Sequence, residues 1–253
     1  MTEVIADIAL AAGAGVLGGE MNALAGGGTF ATLPALLGIG LPANIANATS
    51  NFSLMPGAAA STWALRDELV PLGDVSVRAL AAITFVGGLI GSALLVLTPS
   101  HAFDLIIPWL VLYAFVLLAF GARAAAWLRR RVSIGPRTLM AAQALLGLYG
   151  GYFGGGVGLM TTATYGLLAG HSPREMFAPR SLMLAVSNAA AALVFVVTGM
   201  IAWRACLPML IGSIVGGWLG ADYGKRLPPV VIHIFTLLVT GATAAVFFWR
   251  AYH

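Results

Sequence analysis

The residues that could do chemistry in this chain are few, and most of them fall in two polar stretches. In the first, Asn44, Asn47, Ser50 and Asn51 recur at helical spacing and share one face of a helix. Their amides and hydroxyls offer both donors and acceptors, so they could coordinate an oxyanion without burying a charge. Interhelical hydrogen bonds of about 1–2 kcal/mol each would use the same groups. In the second stretch, Glu175 and Arg180-Ser181 precede an apolar run holding Ser187 and Asn188. A guanidinium set this far into an apolar segment needs a partner, and it can make bidentate bonds to an oxyanion. Alternatively it snorkels to a helix end or pairs with Glu175. Glu20 lies late in the first apolar run. A carboxylate in low dielectric has a raised pKa and could carry a proton, or it could pair with an arginine.

Two triple glycines, Gly26-Gly27-Gly28 and Gly154-Gly155-Gly156, offer a different chemistry. Glycine costs about 1 kcal/mol per residue in a helix interior, so three together break a helix. The short helix that follows each break presents unsatisfied N–H groups and a positive dipole end, which attracts anions. Thr29 and Thr32 add hydroxyls after the first break, and Thr161, Thr162 and Thr164 after the second. Gln143, Tyr149 and Tyr152 precede the second break and read as packing or interfacial residues rather than a pathway. The histidines His101, His171, His233 and His253 form no i, i+4 pair, and no hydrolytic or nucleotide-binding motif is present. No catalytic residue, metal or cofactor is therefore expected, and the chain does not read as an enzyme.

The elements that must position these groups follow from composition. The chain has 253 residues, 60% hydrophobic and only 9% charged, with a mean hydropathy of +0.94. These values exclude a disordered chain, a nucleic-acid-binding domain and nearly every soluble enzyme. They predict an all-α, polytopic integral membrane protein, with the lipid bilayer as its main partner. Ten apolar segments run over 4–24, 29–40, 44–64, 74–97, 102–128, 138–154, 157–170, 176–199, 203–222 and 229–250. Eight are long enough, or nearly so, to span; the second and seventh are too short. The N-terminus lacks the positive region of a signal peptide, so the first segment reads as a permanent span. Cys206, the sole cysteine, reads as a small buried apolar residue.

The halves repeat. An offset of 128 places Gly26 on Gly154, Gly19 on Gly147 and Gly38 on Gly166. Further on, Pro42 matches Pro173, Ser50 matches Ser181, and Gly87-Gly88-x-x-Gly91 matches Gly216-Gly217-x-x-Gly220. A matched pair of glycine-broken short segments points to a transport site. The expected division is a first repeat over 1–131 and a second over 132–253. Arg123, Arg129, Arg130, Arg131 and Arg137 cluster between them and should be cytoplasmic. If all ten segments reverse direction, Arg66, Arg174, Lys225 and Arg226 fall on that side too. Five segments per half then make the repeats antiparallel. The small-xxx-small pairs Gly87/Gly91, Gly212/Gly216 and Gly216/Gly220 set either close helix packing or a homodimer contact.

This pattern resembles the sulfite exporter TauE/SafE family, within the four-toluene-sulfonate-uptake permease group. The resemblance rests on Gly26-Gly27-Gly28-Thr29-Phe30 leading to Pro34, the Leu41-Pro42 turn, Ala48-Thr49-Ser50, and the repeated Gly154-Gly155-Gly156 and Gly216-Gly217-x-x-Gly220. It covers essentially the whole chain. It implies a multi-pass bacterial inner-membrane permease for small sulfur-containing anions such as sulfite, sulfoacetate or other organosulfonates. The family often shows a Gly-Thr-Ser-like pattern in each half, where this chain has Ala48-Thr49-Ser50 and Pro179-Arg180-Ser181. A charge thus replaces a small polar residue, which either tunes the site for an anion or moves recognition elsewhere. The expected function is an exporter working by alternating access. Its expected site is Thr29, Asn47, Ser50, Asn51, Arg180, Ser181 and Asn188, bordered by the glycine breaks, with Glu20 as the proton carrier. Transport of another small anion such as a carboxylate fits the same donors, and an intramembrane enzyme or a membrane scaffold is the contrasting class.

Overall fold

A computed structural model describes residues 2–72, 74–129, 135–168, 176–224 and 227–252. They form ten α-helices and, among the described residues, no β-strand: α1 (Thr2–Ala25), α2 (Thr29–Gly38), α3 (Ala43–Ala64), α4 (Val77–Leu97), α5 (Ser100–Arg129), α6 (Pro136–Tyr152), α7 (Val157–Leu168), α8 (Phe177–Val197), α9 (Trp203–Gly224) and α10 (Pro229–Tyr252). Two helix ends carry local signals. Ser76 caps α4 by accepting from the Ala79 N–H at 3.2 Å, and Pro136 opens α6. The expected boundary at 131/132 lies outside the described residues, as do Arg130, Arg131, His171, Arg174, Glu175, Lys225 and Arg226.

Among the described residues, five helical stretches are long and apolar enough to cross a membrane: Glu3–Ala25, Val77–Leu97, Ser100–Gly121, Phe177–Val197 and Val230–Tyr252. At 22 residues each, α3 and α9 are equally long. Polar residues dilute their hydropathy, and in α3 most of these turn inward, Asn47, Thr49, Ser50 and Ser53 being fully buried. By contrast α2, with 10 residues, is only about 15 Å long, and α7 about 18 Å, against about 30 Å of hydrocarbon. The outside of the molecule is as apolar as its core. Leu145, Val197, Trp218 and Leu238 lie largely exposed, which suits lipid and not water.

The contacts fix the direction of each helix. Gly15 packs on Met209, Gly19 on Ser213 and Glu20 on Gly220, so α1 and α9 run parallel. Thr49 meets Ala202 and Gly57 meets Ser213, which adds α3 to that set. Thr84 packs on Gly147 and Met183, and Gly88 on Gly151 and Ala190, so α4, α6 and α8 run together. Asn47 reaches Tyr152 while Asn51 reaches Gly150, so α3 opposes α6. The first helix of one half therefore opposes the first helix of the other, as inverted copies do. The short helices reverse direction too: Gly28 lies beside Asn22 and Thr32 beside Gly18, so α2 folds back along α1. Likewise Val157 lies beside Gly150 and Tyr165 reaches Gln143, so α7 folds back along α6.

The small-xxx-small pairs are spent inside the chain. A Cβ on Gly216 would strike the Val16 carbonyl, and one on Gly91 the Leu148 carbonyl. These glycines let backbones touch across α1/α9 and α4/α6. Of the two roles expected for them, close packing is the one the fold uses. A test is direct. Gly216→Ala should destabilise the detergent-purified protein by about 1–3 kcal/mol, since backbone cannot yield to the added methyl. Gly13→Ala, with nothing within 4 Å of the new carbon, should leave the unfolding temperature unchanged or raised.

Candidate functional site

The site grows from the two helix breaks. After α1 ends, Gly26 adopts φ 74 and its N–H donates to the Met21 carbonyl at 3.1 Å and the Asn22 carbonyl at 2.8 Å. After α6, Gly154 adopts φ 76 and donates to the Tyr149 carbonyl at 3.4 Å. Both are left-handed helix stops that favour glycine, and they stand 128 residues apart, in register with the repeat. The breaks meet at the centre of the molecule. A Cβ on Gly26 would lie 2.5 Å from the Cα of Gly158, and one on Gly156 would lie 3.0 Å from the Phe30 ring.

A helix that stops inside an apolar interior leaves its last carbonyls bare. Side chains from the opposite half supply the missing donors. Asn47 Nδ2 donates to the Tyr152 carbonyl at 3.1 Å, and Asn51 Nδ2 to the Gly150 carbonyl at 3.5 Å. The last turn of α6 is thus capped by two asparagines from α3. At the other break, Arg180 Nη2 on α8 donates to the Ala23 carbonyl at 3.2 Å, in the last turn of α1. The positive guanidinium sits where the α1 dipole is negative. It is only 6% exposed and stacks over the Phe177 ring at 4.5 Å. It therefore does not snorkel. Among the described residues no carboxylate lies within ion-pair distance of it, the one such pair being Arg66–Asp67.

The other expected residues sort around these caps. Thr29 is buried at the first turn of α2. Ser50 is buried and hydrogen-bonds Thr32 across α2 and α3. Ser181 and Asn188 are buried on α8. Glu20 is half-buried, its backbone against Gly220. Asn44 departs from the expected cluster: its amide reaches the Thr98 carbonyl at 3.4 Å and its carbonyl accepts from Ile45, so it braces the α4–α5 turn. Gln143 is a packing residue, bridging Thr84 on α4 and Tyr165 on α7 within a fully enclosed network.

Among the described residues, three buried side-chain atoms keep no hydrogen-bond partner: Asn47 Oδ1, Asn51 Oδ1 and Ser187 Oγ. Ser187 was singled out by position only, beside Asn188, and nothing in an apolar helix marks which serine lacks a partner. Each orphan costs about 1–3 kcal/mol, so a set of three is a standing cost that packing alone does not require. The described residues hold no group of three or more His, Cys, Asp or Glu suited to a metal. Among the described residues the arrangement brings together a buried guanidinium, helix ends, amides and hydroxyls, all of them hydrogen-bonding groups. Asn47→Ala should expose the Tyr152 carbonyl and cost about 1–3 kcal/mol. Asn44→Ala, at a half-buried turn, should cost less, and unfolding temperatures of the two variants side by side would show it.

Comparison with known proteins agrees with this architecture. The sulfite exporter TauE/SafE family model matches residues 11–247. The chain is 33% identical over 232 residues to a probable membrane transporter protein of Haemophilus influenzae, covering 88% of this chain and 89% of the relative. It is 31% identical over 218 residues to the probable membrane transporter protein YfcA of Escherichia coli, covering 84% and 77%. A third relative, the probable membrane transporter protein ORF9 of a Sinorhizobium species, is 26% identical over 237 residues. With glycine-broken helices, inverted halves and a match along nearly its full length, this chain belongs to the sulfite exporter TauE/SafE family of membrane transporters.

Proposed function

We propose that the protein exports a small sulfur-containing anion, such as sulfite, sulfoacetate or another organosulfonate, across the bacterial inner membrane. The observation that carries this reading is Arg180, a guanidinium buried at the α1 break whose bond to a described residue goes to a backbone carbonyl. Among the described residues its partners are a neutral carbonyl and the Phe177 ring, neither a full counter-charge, and an oxyanion would supply one with bidentate geometry. Thr29, at the positive end of α2, and Ser181, next to Arg180, add hydroxyl donors.

The cross-caps support a reading of alternating access. The Arg180–Ala23 and Asn47–Tyr152 hydrogen bonds both link one half to the other. An anion that draws guanidinium donors away from Ala23 weakens one of these links, and so ties substrate binding to movement between halves.

The test is thermal stability of the detergent-purified protein against sulfite, sulfoacetate, taurine, sulfate, acetate and chloride. A ligand at 100 times its dissociation constant stabilises by about 2.7 kcal/mol. The expected result is a selective rise with one sulfur anion, lost in Arg180→Ala and partly kept in Arg180→Lys. A rise with carboxylates alone would replace the substrate class. A folded Arg180→Ala protein that keeps the full rise would remove Arg180 from the site.

A further inference from the structure

The α6 break differs from the α1 break in what it leaves over. Each asparagine amide donates an N–H to an α6 carbonyl, which sets its orientation and leaves its Oδ1 as an acceptor. Asn47 and Asn51 are 0% and 2% exposed, and neither oxygen meets a donor. Ser187 on α8 is also fully buried with an unpartnered hydroxyl. These groups converge on the same turn of helix. Asn51 Nδ2 bonds the Gly150 carbonyl and lies 2.7 Å from where a Cβ on Gly154 would sit. The Ser187 hydroxyl lies against the position a Cβ on Gly150 would take. Glycine at 150 and 154 therefore leaves room for the Ser187 hydroxyl and the Asn51 amide against this turn.

All three are neutral oxygens, carried by side chains packed on the C-terminal turn of α6, where the helix dipole is negative. Anions are repelled there. A hard monovalent cation is what oxygen ligands and a helix C-terminus attract in broken-helix transporters. We propose that Asn47 Oδ1, Asn51 Oδ1 and Ser187 Oγ form a sodium-class cation site at the end of α6, separate from the anion-binding guanidinium at the end of α1. The cation's role as a coupling ion rests on the transport reading above. Its binding does not, and is measured with no substrate anion present.

The experiment follows the unfolding temperature of the full chain in detergent as choline chloride is exchanged for sodium chloride at constant ionic strength. A saturable rise is expected with sodium and a weaker one with potassium. Ser187→Ala is the informative variant. Its hydroxyl makes no hydrogen bond among the described residues, so the variant should be at least as stable as the parent in choline while binding sodium about tenfold or more weakly. Asn51→Ala should lose the sodium response as well, at a cost in stability. Equal unfolding temperatures in sodium and choline would overturn the site, as would an Ser187→Ala titration identical to the parent's. A sodium response without any response to the anion panel would sink the proposed substrate class and leave the cation site standing.

Discussion

A helix that ends inside an apolar molecule must find donors for its last carbonyls, and lipid has none to give. Here that constraint arises twice, and each time backbone N–H groups past the break cap some of the carbonyls and side chains from the other half of the chain cap others. Asn47 and Asn51 close α6, and Arg180 closes α1. Neither half can complete its broken helix alone. The short return helices, the left-handed glycines and the contact between the two breaks all follow from bringing these ends to the centre, where the opposite half can reach them.

The duplication is structural and not chemical. Gly26 and Gly154 occupy matching positions with matching backbone angles. The caps facing them do not match: a guanidinium at one break and two amides at the other. A near-symmetric frame thereby holds unlike electrostatic environments within a single core, one able to attract negative charge and one rich in acceptor oxygens. Symmetry supplies two equivalent helix breaks, and unequal side chains make them different.

Much of the frame was legible in the sequence, because the glycine runs and an offset of 128 mark the breaks and pair them. The short length of α2 and α7 followed directly. What could not be read is how side chains pair across helices. Asn44, Asn47 and Asn51 share one helical face, yet Asn44 turns to Thr98 while the others cross to α6. The enclosed Thr84–Gln143–Tyr165 network joins three helices through residues that are isolated polar letters in apolar runs. Amphipathic periodicity was no guide, since lipid-facing positions such as Val197 and Leu238 are as apolar as the core. Solvent contrast, the usual source of pattern, is missing.

The glycine-lined seam between α1 and α9 also bears on how the protein is made. Backbone contacts such as Gly15 on Met209 join residues about 200 positions apart. At a synthesis rate of about 5–20 residues per second, the first helix waits on the order of 10–40 seconds for the partner that covers its glycine face. During that interval α1 sits in the bilayer with its small-residue stripe unpaired, open to any other helix with a similar stripe. The late-arriving α9 is thus the step that commits the newborn chain to its own fold.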